Sequence, residues 1–150
     1  MRKPAGPAAD VSWAVPGPRL LSEAEVRAAV AAALEHGGRP ELQLALVFVS
    51  DADLARLHRR ALGDPRPTDV LAFELGSKGG GPAGEIYVSV ERARAEARTR
   101  EIAPEGELAL YVVHGCLHLC GHDDRRPAAR ARMRAAERAV LSRLGYGARA

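Results

Sequence analysis

One stretch of the sequence decides the fold: Glu107-Leu-Ala-Leu-Tyr-Val-Val-His114-Gly-Cys-Leu-His118-Leu-Cys-Gly121-His122-Asp-Asp124. Its apolar run predicts a helix over about residues 105 to 119, which Pro104 opens near the first turn and Gly121 closes. The two histidines are four residues apart, so their rings project from one face of the helix about one turn apart. Cys116 falls roughly 200° around the helix from His114, with Cys120 on the same side. We therefore expect the cysteines to pack in the core as free thiols while the histidines face a cleft.

Helical and strand patterns surround this helix. Helices are predicted at about residues 22 to 36, 51 to 62, 91 to 101 and 127 to 143. Strands are predicted at about 41 to 50, 69 to 75 and 85 to 90, with a first strand where residues 11 to 15 alternate. The glycine-rich residues 76 to 82 are expected to form a mobile lid. The pattern favours an α/β (α+β) fold, a small mixed β-sheet packed with about five helices, including a zincin-like metal helix.

Length and composition fit one domain. The chain has 150 residues, of which 47% are hydrophobic and 27% charged. We expect a disordered tail at residues 1 to 10, rich in proline and small residues, and a single domain at 11 to 150. Neither a signal peptide nor an apolar stretch of about 18 residues is present, which predicts a soluble, cytoplasmic protein.

The positive charge is carried almost entirely by arginine. The net charge is +3, with 22 Lys+Arg. Arginine suits phosphates, which favours nucleic acid as a partner, although a biased coding composition explains the same excess. Likewise, the arginines of residues 127 to 143 fit either an RNA-binding face or the solvated side of an amphipathic helix.

The two histidines predict a metal site. At this separation they can bind one zinc ion at about 2 Å each, and a catalytic zinc needs a third protein ligand and an open fourth position. Because Gly121 lets the chain fold back, Asp124 is the expected third ligand, in a spacing that matches the metzincin pattern with aspartate last. His122 is the alternative. Gly115 stands where zinc peptidases carry their general base glutamate, which disfavours peptide hydrolysis.

Three blocks of the sequence resemble the YbeY family of bacterial endoribonucleases and ribosomal RNA maturation factors. Residues 114 to 121 follow the hallmark H-G-x-L-H-L-x-G without a gap, and the blocks at 63 to 73 and 84 to 89 resemble two strands of that family. The resemblance covers roughly residues 42 to 145. It departs from the family at Asp124, where the family has its third histidine, and at Ala61 and Leu62, where the family has Tyr-Arg with the arginine thought to meet substrate phosphate.

The resemblance implies a metal-dependent single-strand endoribonuclease with one Zn²⁺ per chain. Its implied role is maturation of the 16S ribosomal RNA 3′ end and ribosome quality control, with ribosomal RNA, the small ribosomal subunit and its proteins as partners. In this hypothesis His114 is both ligand and catalytic residue, and Arg59, Arg66 or else Arg60 holds the substrate phosphate in place of the family's arginine. Asp123 is a candidate for orienting a metal ligand. The alternative is a non-catalytic RNA-binding ribosome assembly factor with a structural metal, which the loss of Tyr-Arg favours.

Overall fold

The sheet is mixed, as the sequence predicts. The computed structural model describes residues 8–63, 68–76 and 82–146. Within these ranges four strands occur, β1 (Ala8–Trp13), β2 (Gln43–Val49), β3 (Val70–Glu74) and β4 (Gly84–Ser89), in the spatial order β1-β2-β4-β3. β1, β2 and β4 are parallel to one another, whereas β3 runs antiparallel to β4. The strand that follows β3 in sequence thus inserts between β2 and β3.

Five helices occur in the same ranges: α1 (Glu23–His36), α2 (Asp51–Leu62), α3 (Val90–Arg100), α4 (Pro104–Leu119) and α5 (Pro127–Arg143). Local signals set their ends. Ser22 and Glu25 form a capping box at the start of α1, and Ser50 caps α2 by accepting a hydrogen bond from the Asp53 amide. The predicted fold class is confirmed, and each predicted helix is found within two residues of its expected bounds.

Helix α4 is the central element of the core. It contacts α1, α3, α5 and strands β3 and β4, while α2 covers part of the opposite face of the sheet. At Gly115 the helix lies so close to the sheet that an added Cβ would be 2.7 Å from Ile86 Cγ2 and 3.2 Å from Val70 Cγ2. A glutamate at this position therefore has no room, which gives a packing reason for the missing peptidase motif.

The predicted N-terminal tail extends too far along the chain, because β1 begins at Ala8 and not after residue 10. Residues 8 to 10 were predicted to be disordered, but they form the first half of β1, where Ala9 is buried and its carbonyl accepts a hydrogen bond from Arg27 Nη1 at 2.7 Å. The pairing of β1 with β2 supplies order that composition does not reveal. The rest of the tail and residues 77 to 81 of the predicted lid lie outside the described residues, and the single domain stays a prediction.

The cysteines follow the prediction. Cys116 is buried, Cys120 is half-buried, and both thiols are free. Among the described helices, none combines the length and the hydrophobicity needed to cross a membrane.

Candidate metal centre

A tight reversal of the chain follows α4 and carries the predicted third ligand back toward the helix. Gly121 has φ +100°, its amide donates to the His118 carbonyl at 3.0 Å, and the amide of His122 donates to the Leu117 carbonyl at 3.0 Å. This pair of hydrogen bonds is a Schellman motif, which requires a left-handed residue just past the helix end. Glycine is the residue that adopts this conformation most readily, so the sequence itself sets the reversal.

Three potential ligand atoms converge beside this turn. His114 Nε2 and His118 Nε2 are 3.0 Å apart, and Asp124 Oδ2 lies 3.4 Å from the first and 3.7 Å from the second. All three atoms lie within 4.8 Å of one another. A tetrahedral zinc site with bonds of about 2.0 to 2.1 Å has ligand atoms about 3.3 Å apart, so the donor set fits a divalent ion in both chemistry and spacing.

The alternative ligand lies outside this group. The ring of His122 borders the adjacent cleft, whereas the three residues whose ligand atoms converge are His114, His118 and Asp124. Asp124 lies where the predicted third ligand has to lie. Its role as a ligand stays a prediction.

A carboxylate that the sequence analysis missed supports the first histidine. His114 Nδ1 donates a hydrogen bond to Glu137 Oε2 of α5, which leaves Nε2 directed at the other two ligand atoms. Glu137 is the only acidic residue in α5, and this isolated charge on an arginine-rich helix is the signal that could have drawn attention to it. Asp123, predicted for such a role, instead accepts hydrogen bonds from the backbone amide and Nε of Arg125, at 3.0 and 3.5 Å.

The two histidines differ in their affinity for a proton. Burial favours a lower pKa for His114, but the hydrogen bond to Glu137 and the negative charges of Glu137, Asp69 and Asp124 outweigh it and raise the pKa. Burial and the neighbouring charge of His114 lower the pKa of His118. The surroundings of His114 therefore favour a bound proton more than those of His118 do, whose lowered pKa favours the ring with a free lone pair.

His114, His118 and Asp124 together are called the metal group below. On one side, this group opens into a cleft of about 890 Å³. Helix α2 contributes His58 and Leu62 to its wall. Leu62 is 63% exposed, so the position of the family's arginine does face the cleft but carries an apolar side chain. Arg59 is exposed on the same helix and is not among the residues that line the cleft, and Arg66 lies outside the described residues. The phosphate-binding roles proposed for these two arginines stay predictions.

Comparison with known proteins agrees with the sequence blocks. A profile of the family described as Endoribonuclease YbeY matches residues 19–145. The endoribonuclease YbeY of Desulfitobacterium hafniense is 39% identical over 115 residues, which cover 70% of this chain and 73% of that protein. The endoribonuclease YbeY of Rhodopirellula baltica is 35% identical over 127 residues, which cover 83% of this chain and 63% of that protein.

A solved structure shares the fold. The solution structure of a Thermotoga maritima protein matches with a TM-score of 0.63 and 25% sequence identity, over 91% of this chain and 88% of that one. The family match spans most of the chain and includes positions 114, 118 and 124, so the resemblance is confirmed. This chain belongs to the family described as Endoribonuclease YbeY.

Proposed function

We propose that this protein is a metal-dependent endoribonuclease that cuts single-stranded RNA. The observation that carries the proposal is the convergence of His114, His118 and Asp124 at the edge of an open cleft, in a member of a family described as endoribonucleases. The substrate that we propose is ribosomal RNA, at the 3′ end of the 16S molecule and in defective ribosomes. The small ribosomal subunit and its proteins are then the partners, and the cytoplasm is the site of action.

The metal that we propose is one Zn²⁺ per chain, because two imidazole nitrogens and one carboxylate oxygen suit zinc. When bound, the ion supplies Lewis acidity, which lowers the pKa of water and offsets negative charge on the phosphodiester. The protein residues prepare the site for it. Glu137 fixes the ring orientation and tautomer of His114, and His118 offers a neutral nitrogen.

Elemental analysis and RNA cleavage on the same purified samples test the proposal. The variants are His114→Ala, Asp124→Ala and, as the matched control, His122→Ala. We expect about one zinc ion per chain in the wild type and in the control, with loss of both the ion and cleavage in the other two variants. The proposal of an enzyme is contradicted if the wild type binds no metal. It is also contradicted if the wild type binds metal but shows no RNA cleavage that a chelator can abolish.

The second candidate is a non-catalytic RNA-binding assembly factor in which the metal fastens the turn to α4. Leu62, in the position where the family has its arginine, favours this candidate. Binding of RNA that weakens steeply with salt, with no cleavage under any metal condition, would support it over the enzyme.

A further inference from the structure

A second groove, of about 470 Å³, reaches the metal group and is lined mainly by residues of α3, α4 and α5. His114 and Asp124 lie at its inner end, where Glu137 also lines it. Four arginines line it as well, one from α3 and three from α5: Arg100, Arg130, Arg134 and Arg138. The groove is thus continuous with the proposed reaction site and shares two of its ligands.

Acidic and basic groups occupy different depths in this groove. Glu107 is 1% exposed and Glu137 accepts a hydrogen bond from His114, so these two acidic side chains lie on the inner wall, and the lining also includes Asp69 and Asp124. The three arginines of α5 are exposed at the rim. A ligand that approaches along α5 therefore meets positive charge at the rim, whereas Glu107 and Glu137 already have partners within the protein.

Two of the four arginines interact with the protein itself. Arg100 Nη1 lies 3.8 Å from Glu107 Oε1, and Arg130 Nε donates to the backbone carbonyl of Asp124 at 3.1 Å. Arg134 and Arg138 form no hydrogen bond or ion pair with any residue in the described ranges. Their guanidinium groups remain available to a ligand.

The arrangement on α5 differs from that of an ordinary solvated face. Arg130, Arg134 and Arg138 follow one another at four-residue spacing, so each lies one turn from the next on the groove side. Like charges at this spacing repel one another and destabilise a helix. Arg132 is also exposed but does not line the groove, and Arg143 Nη2 pairs with Glu35 Oε1 at 2.6 Å. Arg134 and Arg138, which have no partner among the described residues, therefore lie one turn apart where the groove leads to the metal group.

We infer that Arg134 and Arg138 bind the phosphate backbone of single-stranded RNA beside the phosphodiester that is cut. This inference rests on the proposed function, because it assumes that RNA reaches the metal group. The two Cα atoms are about 6 Å apart along the helix axis, and the flexible stems of arginine allow their planar donor groups to meet successive phosphates. They supply, from α5, the positive charge that Leu62 does not supply from α2.

RNA binding by the zinc-loaded protein tests the inference. The probe is a fluorescent single-stranded RNA with 2′-O-methyl riboses, its integrity checked on a gel, and its affinity is measured by anisotropy over a range of salt concentrations. Arg134→Ala and Arg138→Ala are expected to weaken binding roughly tenfold each and to reduce the slope of log affinity against log salt by about 0.7 each. The matched control Arg132→Ala is expected to stay within about twofold of the wild type.

A conservative variant and cleavage kinetics separate charge from folding. Arg134→Lys keeps a positive charge and is expected to retain the salt slope of the wild type. This variant keeps the inference testable even if Arg134→Ala fails to fold. With unmodified RNA, Arg134→Ala is expected to raise KM roughly tenfold and to leave kcat within about twofold, because it removes binding rather than chemistry.

The outcomes distinguish this inference from the proposed function. If both alanine variants match Arg132→Ala in affinity and salt slope, the groove does not bind RNA and the inference is wrong, even where the wild type cleaves RNA. If the variants lose affinity as expected while the wild type does not cleave unmodified RNA, the groove binds RNA and the proposed enzyme is wrong.

Discussion

At the scale of the residue, a substitution of Glu137 tests whether its hydrogen bond to His114 supports metal binding. Glu137→Gln keeps a hydrogen-bond acceptor for His114 but removes the negative charge that raises the pKa of that ring. We expect zinc affinity to fall roughly 10- to 100-fold, as for other residues that orient a metal ligand. Competition with a chromogenic chelator measures this affinity. Glu105→Gln, at an exposed position near the start of α4, is the control, and equal affinity in the two variants would show that Glu137 does not support the site.

Leu62 allows a gain of function to be tested at a single residue. Leu62→Arg places a guanidinium in the cleft beside the metal group, where the family carries its arginine. We expect RNA affinity to rise roughly three- to tenfold, with a steeper salt dependence, because one more phosphate is neutralised. Anisotropy with a labelled RNA measures both. Leu75→Arg is the matched control, because Leu75 is the other large exposed apolar residue of the described ranges, at 49% exposure. An equal rise in the two variants would indicate a nonspecific charge effect.

At the scale of the element, the turn after α4 couples helix geometry to ligand placement. Gly121→Ala forces an L side chain into φ +100°, which costs about 1 to 2 kcal/mol and shifts the backbone that carries Asp124. We expect zinc affinity to fall at least tenfold, roughly, with only a modest loss of stability. Thermal unfolding and zinc titration measure the two effects.

Gly106→Ala is the control for that variant. Gly106 lies in α4, the helix that precedes the turn, and its added Cβ would meet only Tyr146 Cδ1, at 3.9 Å. Alanine there should leave zinc affinity unchanged and leave stability unchanged or slightly raised. If Gly121→Ala binds zinc as tightly as this control, the turn does not position the third ligand.

At the scale of the whole molecule, the metal group joins α4, the following turn and, through Glu137, α5. An ion that binds only the folded chain stabilises it by about 2.7 kcal/mol at a free concentration 100 times Kd. For a chain of this length that corresponds to a rise in Tm of about 5 to 10 °C. Calorimetry with zinc and with excess chelator measures the shift. His114→Ala should show none, and an equal shift in that variant would place the zinc elsewhere on the chain.

The sequence by itself determined most of the local structure and the three proposed ligands. Capping residues, apolar periodicity and glycine stops are local signals, so the helices and strands follow from them. The ligand group was predictable for the same reason, because His114, His118 and Asp124 lie within eleven residues on one helix and one glycine turn. The end of the N-terminal tail was misplaced because β1 is ordered by pairing with the distant β2.

Only the tertiary structure decided what surrounds the ligands. The support from Glu137 and the arginine groove come from α5 and α3, and nothing local in the sequence states how these helices pack against α4. The helical register of α2 directs Leu62 and His58, rather than Arg59, at the cleft. Contacts between residues far apart in the chain depend on side-chain packing across several elements. The physical reason is that helical periodicity identifies which residues share a face, whereas long-range packing decides what that face meets.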